Sequence, residues 1–283
     1  MRIYCKEITL NTDKNVKDAR IACFSDLHYS KKLGMKTLET IYKAICEYHP
    51  DYICFLGDLL NDDSFNEVYN FIGYLGCIAP VLLIDGNHDI ESFGVDDKIH
   101  YNKNFFLNDE LKKRLDNIPN VYYLTHNQTE HFDNISFTGT DFFHRSHEND
   151  WWDYLDSNTP VIDESSYNIL LCHNPFIINR DTFSIVDDTY QNFDAAFTGH
   201  IHNALMPAYI DNMIKTNIGL FTVDTGFFPP DYLGEKEIKV DKDKSITRVN
   251  IPPIRTFNPE NPLFNGLNKL YPPSIKLVRI KKN

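Results

Sequence analysis

None of the six cysteines of this 283-residue chain stands in a CxxC pair. Disulfides and a zinc site are thereby disfavoured. Cys23, Cys54 and Cys172 each lie inside an apolar run and read as small core hydrophobes in a reducing compartment. No stretch of about 18 apolar residues exists, so nothing is expected to span a membrane. The N-terminus, MRIYCKEITL, lacks the basic start and apolar stretch of a secretory signal, and a cytoplasmic protein is expected. Positive charge is scarce: 28 Lys and Arg stand against 40 Asp and Glu, a net charge of −12. No basic patch occurs before the last few residues, Lys276 to Lys282, so a nucleic-acid partner is not expected. The acidic balance leaves room for a small phosphorylated substrate, because bound cations reverse the local field. Linkers, low-complexity segments and internal repeats are also missing, and a single domain over residues 1–283 is expected.

What the chain has in quantity is apolar and aromatic surface: 42% hydrophobic residues, with 20 Phe and 16 Tyr. Its front half alternates strand and helix signals. Ile21–Phe24, Tyr52–Leu56 and Val81–Ile84 read as buried strands. Leu38, Ile41, Ile45 and Tyr48 share one helical face, which His49-Pro50 ends. Ser64 and Glu67 form a capping box for a second helix, which Gly76 closes. Asn108 caps a third, short one. The rear is strand-rich, with runs at Val121–Leu124, Asn134–Thr138, Asn168–Cys172, Asp194–Thr198, Ile218–Val223, Ile238–Val240, Ile246–Val249 and Ile275–Ile280. Two sheets face to face with helices outside would bury both sets.

Five short segments each follow such an apolar run: FSDLH, LGDLL, DGNHD, LCHNP and TGHIH. They carry Asp26 and His28, Asp58, Asn87 and His88, His173, and His200 with His202. Each alone has an ordinary explanation, a turn for Asp-Gly or a satisfied structural His. Together they stand in one order behind successive strands, and five of the eleven histidines fall in them. Carboxylates, imidazoles and one amide oxygen delivered from strand ends suit a pair of divalent cations, with Mn, Fe, Zn or Co favoured over Mg or Ca alone. Two close cations acidify a shared water that attacks phosphorus in line. The leaving alkoxide then needs a proton, for which His88 is the candidate. No cysteine sits in a phosphatase-like nucleophile loop.

The order DxH, GD, GNHD, H, GHxH resembles the calcineurin-like metallophosphoesterase family, and the tail PPSIKLVRI is similar to the last strand of its small bacterial phosphoesterases. The resemblance implies an α/β fold, a four-layer α/β/β/α sandwich of two mixed sheets. It implies that Asp26, His28 and His202 hold one metal, that Asn87, His173 and His200 hold the other, and that Asp58 bridges them. It also implies two divalent ions, manganese first among Mn, Fe, Zn, Co and Mg, and hydrolysis of phosphodiester or phosphomonoester bonds. His88 would be general acid toward a phosphorylated small molecule or lipid. Three departures stand out. Where many members carry an Asp to orient the proton donor, this chain has Asn61, followed by Asp62. Asn203-Ala204 replaces the Gly-Gly that follows GHxH in many bacterial relatives. The Arg of the protein-phosphatase branch is absent. The alternative reading, a non-catalytic scaffold of the same fold for protein interaction, is disfavoured because every ligand and His88 are retained.

One further segment bears on substrate. Thr140–Trp152 contains His144, Arg145, Trp151 and Trp152. Its plainest reading is a partly buried surface loop with an aromatic anchor. Its functional reading is a cap over the metal site in which Arg145 holds a phosphate oxygen, Trp151 or Trp152 stacks on a base or packs on an acyl chain, and His144 is a further candidate contact.

Overall fold

A computed structural model of the chain describes residues 3–30, 34–60, 65–93, 99–101, 114–141, 160–173, 192–200, 235–241, 244–254 and 273–283. Two six-stranded mixed sheets make up its centre. The first runs in the order β1 (Tyr4–Thr12), β14 (Ser274–Lys282), β2 (Ala19–Phe24), β3 (Tyr52–Leu56), β4 (Val81–Ile84), β7 (Val121–Tyr123). The second runs β12 (Glu235–Asp241), β13 (Lys244–Asn250), β11 (Ala195–Thr198), β10 (Tyr167–Cys172), β9 (Ile135–Thr140), β8 (Gln128–Phe132). A small hairpin pairs β5 (Glu91–Phe93) with β6 (Ile99–Tyr101).

The apolar runs are unbroken because the first sheet is buried on both faces. Ala22, Phe24, Ile53, Phe55, Val81 and Leu83 pack on one side under α1 (Met35–Tyr48) and α2 (Phe65–Gly76). Ile21, Cys23, Cys54, Leu56, Leu82 and Ile84 face the other way and meet Phe137, Ile169, Leu171, Phe197 and Val249 of the second sheet. Helix, sheet and sheet are thus three layers among the described residues, which do not test the fourth layer expected from the sequence. α1 ends as its sequence indicates, with His49 in the left-handed region at φ 53° and its N–H donating to the Cys46 carbonyl.

The sheet directions position the site. β2, β3 and β4 run parallel to one another, as do β9, β10 and β11. Their C-terminal ends therefore collect at one edge of each sheet, where α/β proteins place ligands.

Several sequence expectations change here. No strand was expected before Ile21, yet β1 pairs along its whole length with β14. Its mostly exposed edge, carrying Lys6, Glu7 and Thr9, hides the alternation. β8, with its polar sequence QTEHF, was missed for the same reason. The basic tail is not a continuous patch: Lys276 is buried within β14, and Arg279 pairs with Asp18 at 3.2 Å. Of the helix expected from Asn108, residues 114–116 are helical and the rest lies outside the described residues, as does the strand Ile218–Val223. No helix among the described residues is long and apolar enough to cross a membrane.

Phe55 is fully buried and its ring centroid lies 4.3 Å from that of Phe24. Phe55→Ala should destabilise the fold by about 3–5 kcal/mol, read from urea unfolding followed by circular dichroism; a loss under about 1 kcal/mol would contradict this packing.

Candidate metal centre

The strand pairing of β2 and β3 does not stop at the strand ends. Beyond them, the Asp26 N–H donates to the Gly57 carbonyl, His28 to Asp58 and Tyr29 to Leu59, at 3.1, 2.9 and 2.8 Å. The two loops therefore travel side by side, and Asp26 and His28 are delivered next to Asp58. The backbone there is unusual. Asp26, His28, Asp58 and His200 all have positive φ, between 43° and 65°. Non-glycine residues visit this region rarely, and such strain persists where surrounding structure enforces it.

Two glycines allow the close approach. Gly57, at φ 78°, lies so near the next loop that a Cβ would come within 2.5 Å of the Gly86 nitrogen. A Cβ on Gly86 would strike the Asp58 carboxylate and stand 2.8 Å from His173 Cε1. Any larger residue at either position would push the strand ends apart.

The Asp58 carboxylate is almost fully buried, and imidazoles flank it from both sheets. His28 Nε2 lies 3.6 Å from Asp58 Oδ2, and His173 Nε2 lies 3.4 Å from the same oxygen. His28 Nε2 is also 3.9 Å from Asp26 Oδ1. His173 Nδ1–H donates to the Leu56 carbonyl at 2.6 Å, which turns Nε2 into the site. That Nε2 is 3.2 Å from Nδ1 of His200. The Asp26 carboxylate accepts from the Ser25 hydroxyl and lies 3.3 Å from the His200 backbone nitrogen. Two groups emerge whose donor atoms all lie within 4.8 Å of one another, His28–Asp58–His88 and Asp58–His173–His200, with Asp58 common to both.

His88 differs from the rest in being exposed. Its ring packs edge-on against His28, centroids 4.7 Å apart, and its backbone N–H donates to Asp58 Oδ1 at 2.9 Å. Asn87 opens the short helix α3 (Asn87–Ile90), and its Oδ1 is buried without a hydrogen-bond partner. A buried amide oxygen left unmatched is costly and suits a cation. The residues present thus fit a divalent metal pair in ligand type and in placement.

The structure brings together Asp26, His28, Asp58, Asn87, His88, His173 and His200. His202, Asn61, Asp62, His144, Arg145, Trp151 and Trp152 lie outside the described residues. The sequence reading missed Asp89, which is fully buried and accepts three backbone N–H groups of the site loops. The only signal was its place as the last residue of DGNHD. It also missed Ser25, whose hydroxyl contacts both Asp26 and the Leu56 carbonyl.

Charge compensation is strong. Burial works against the Asp58 carboxylate, but His173, His88 and His28 together hold its pKa well below the usual range. Burial likewise lowers His173, yet Asp58, with help from Asp26 and the Leu56 carbonyl, carries it up to about 10. Asp89 is raised to about 7, by burial first and then by the Asp58 charge.

Among comparisons with known proteins, the family profile described as Calcineurin-like phosphoesterase matches residues 19–204. No curated protein matches the sequence. Solved structures with some likeness include TT1561 of Thermus thermophilus, at 12% identity and TM-score 0.46, over 84% of this chain and 90% of that one. A dimetal phosphatase from Danio rerio shares 11% identity at TM-score 0.44, over 86% and 90%. GAP50 of Plasmodium shares 14% identity at TM-score 0.38, over 82% and 71%. These likenesses are too slight to carry weight, and the assignment rests on the family match.

Two expectations follow from the site's geometry and charge. Gly86→Ala should abolish uptake of divalent metal while the chain stays folded, read by metal analysis beside circular dichroism; retained metal would mean the loops are not in contact. In the metal-free protein His173 is protonated at neutral pH. Its raised pKa contributes stability that is complete below the unfolded value of about 6.5 and is lost as pH rises through about 10. Metal must displace that proton, so affinity should climb with pH up to about 10. Calorimetry in buffers of different ionisation enthalpy reads the proton released; no release would contradict the assignment of His173.

Proposed function

The chain belongs to the calcineurin-like phosphoesterase family, and on that premise we propose a dinuclear metal-dependent hydrolase of phosphodiester or phosphomonoester bonds with His88 as general acid. The observation that carries this reading is Asp58, a buried carboxylate with one oxygen 3.6 Å from His28 on the first sheet and 3.4 Å from His173 on the second. Asp26, His28 and His202 would hold one ion, Asn87, His173 and His200 the other, with Asp58 between them. Manganese is the first candidate, since mixed carboxylate, amide and imidazole ligands suit the borderline divalent metals; Fe, Zn, Co and Mg are the others. When bound, such a pair supplies Lewis-acid chemistry, acidifying water and offsetting the charge of a phosphate ester.

The chain's own groups have distinct parts. Asp58 holds its negative charge under the pull of three imidazoles, so it is ready as an anionic ligand at neutral pH. The Leu56 carbonyl fixes the His173 tautomer by accepting from Nδ1, which leaves Nε2 to face the ions. Among the described imidazoles of the centre His88 alone is exposed, which leaves it free to meet a substrate and protonate a leaving alkoxide. Its contact with His28 and its N–H bond to Asp58 keep it over the centre without burying it. The net charge of −12 favours a small phosphorylated molecule or lipid headgroup over nucleic acid.

Hydrolysis of bis(4-nitrophenyl) phosphate and 4-nitrophenyl phosphate by the manganese-loaded chain tests the reading; an inert protein without metal would overturn it in favour of a scaffold. Asp58→Asn should lower metal content and activity together. His88→Asn should keep both metals and lower kcat by roughly 10²–10⁴. That loss should shrink for esters with good leaving groups. Should His88→Asn lose metal instead, His88 is a ligand and not the proton donor.

A further inference from the structure

We propose that Asp89 is a positioning residue, a buried carboxylate clamp that sets the orientation of Asp58 between the two ligand groups. The inference rests on the phosphoesterase reading above. Asp89 Oδ2 accepts the N–H groups of Asp58 at 2.8 Å and Gly86 at 2.9 Å, and Oδ1 accepts that of Leu59 at 2.9 Å. One carboxylate thereby ties the loop after β3 to the loop after β4. The donors are the ones a strained turn must satisfy. Gly57 and Asp58 both have positive φ, at 78° and 54°, and two of the three donated N–H groups belong to Asp58 and the residue after it. Through these bonds the Asp89 side chain holds the backbone that carries a ligand.

The placement explains an otherwise costly arrangement. Asp58 and Asp89 are two carboxylates buried side by side, and desolvation and mutual repulsion both oppose this. A residue kept only for packing would be apolar here. Helix α3 supplies the geometry: its first residue, Asn87, presents the orphaned Oδ1, its second, His88, stands exposed, and its third, Asp89, points back beneath the loops. A single turn thus delivers a ligand, a proton donor and the clamp in three consecutive residues.

The test compares the full chain with Asp89→Asn and Asp89→Glu, reading manganese affinity by calorimetry and kcat and KM on bis(4-nitrophenyl) phosphate. Asp89→Asn keeps one acceptor oxygen but turns an NH2 toward a backbone N–H. It should weaken manganese binding roughly 10–100-fold, as loss of an outer-shell partner does. It should lower kcat with KM unchanged, and Asp89→Glu should restore part of both. A folded Asp89→Asn with wild-type affinity and kcat, or one altered only in melting temperature, would overturn the proposal. If the variants fail to fold, labelled wild-type protein decides. Through-hydrogen-bond NMR couplings from the amide nitrogens of Asp58, Leu59 and Gly86 to the Asp89 carboxyl carbon are expected, and their absence would refute the clamp. A wild-type chain that neither binds manganese nor hydrolyses the ester defeats the phosphoesterase reading instead; the couplings then decide the clamp alone.

Discussion

A carboxylate taken out of water must be matched by positive charge or it destabilises the fold that buries it. Asp58 is such a group, and the arrangement of the whole site follows from matching it. Its compensation comes from His28 on the first sheet and His173 on the second, both within 3.6 Å of one oxygen. The pairing across sheets needs the strand ends to meet, and they meet because each sheet runs its central strands in parallel. The sandwich core and the site are therefore one construction. Leu56 shows this in a single residue: its side chain is buried between the sheets, while its carbonyl accepts from His173.

Strain accompanies that convergence. Four of the seven gathered site residues have left-handed backbones. A chain emerging from a strand in the ordinary extended conformation would send alternate side chains to opposite faces. Asp26 and His28, two residues apart, fall on one face, and the positive φ values bend the chain there, where His28 lies beside both Asp26 and Asp58. What makes the strained conformation tolerable is external: the parallel backbone bonds between residues 26–29 and 57–59, the bare Cα positions of Gly57 and Gly86, and the acceptors on Asp89.

How much of this could be read in advance depended on the kind of signal. Tyr52–Leu56 and Val81–Ile84 were delimited correctly because each is a short apolar run ended by Gly or Asp-Gly, too short for a helix and bounded by a turn signal. The residues gathered at the strand ends were legible too, since Asp, Asn and His stand immediately behind those runs. β1 and β8 were not, because an edge strand needs only part of one face apolar and its polar residues read as loop. Lys276 looked like surface charge, yet its strand is inserted between β1 and β2, a pairing across almost the whole chain that no local pattern announces. Asp89 escaped because an Asp after a turn is ordinary, and only three-dimensional structure reveals which N–H groups its carboxylate gathers. The positive φ values leave only a weak trace in residue type, for Asp and His enter that region more often than most side chains but far less often than Gly.

The central claim is that one buried carboxylate is shared by two cations. Anomalous diffraction from a manganese-loaded crystal tests it most directly. Two peaks roughly 3.5–4 Å apart, both within coordination distance of the Asp58 carboxylate, are predicted. A single peak, or two peaks of which neither touches Asp58, would contradict the account.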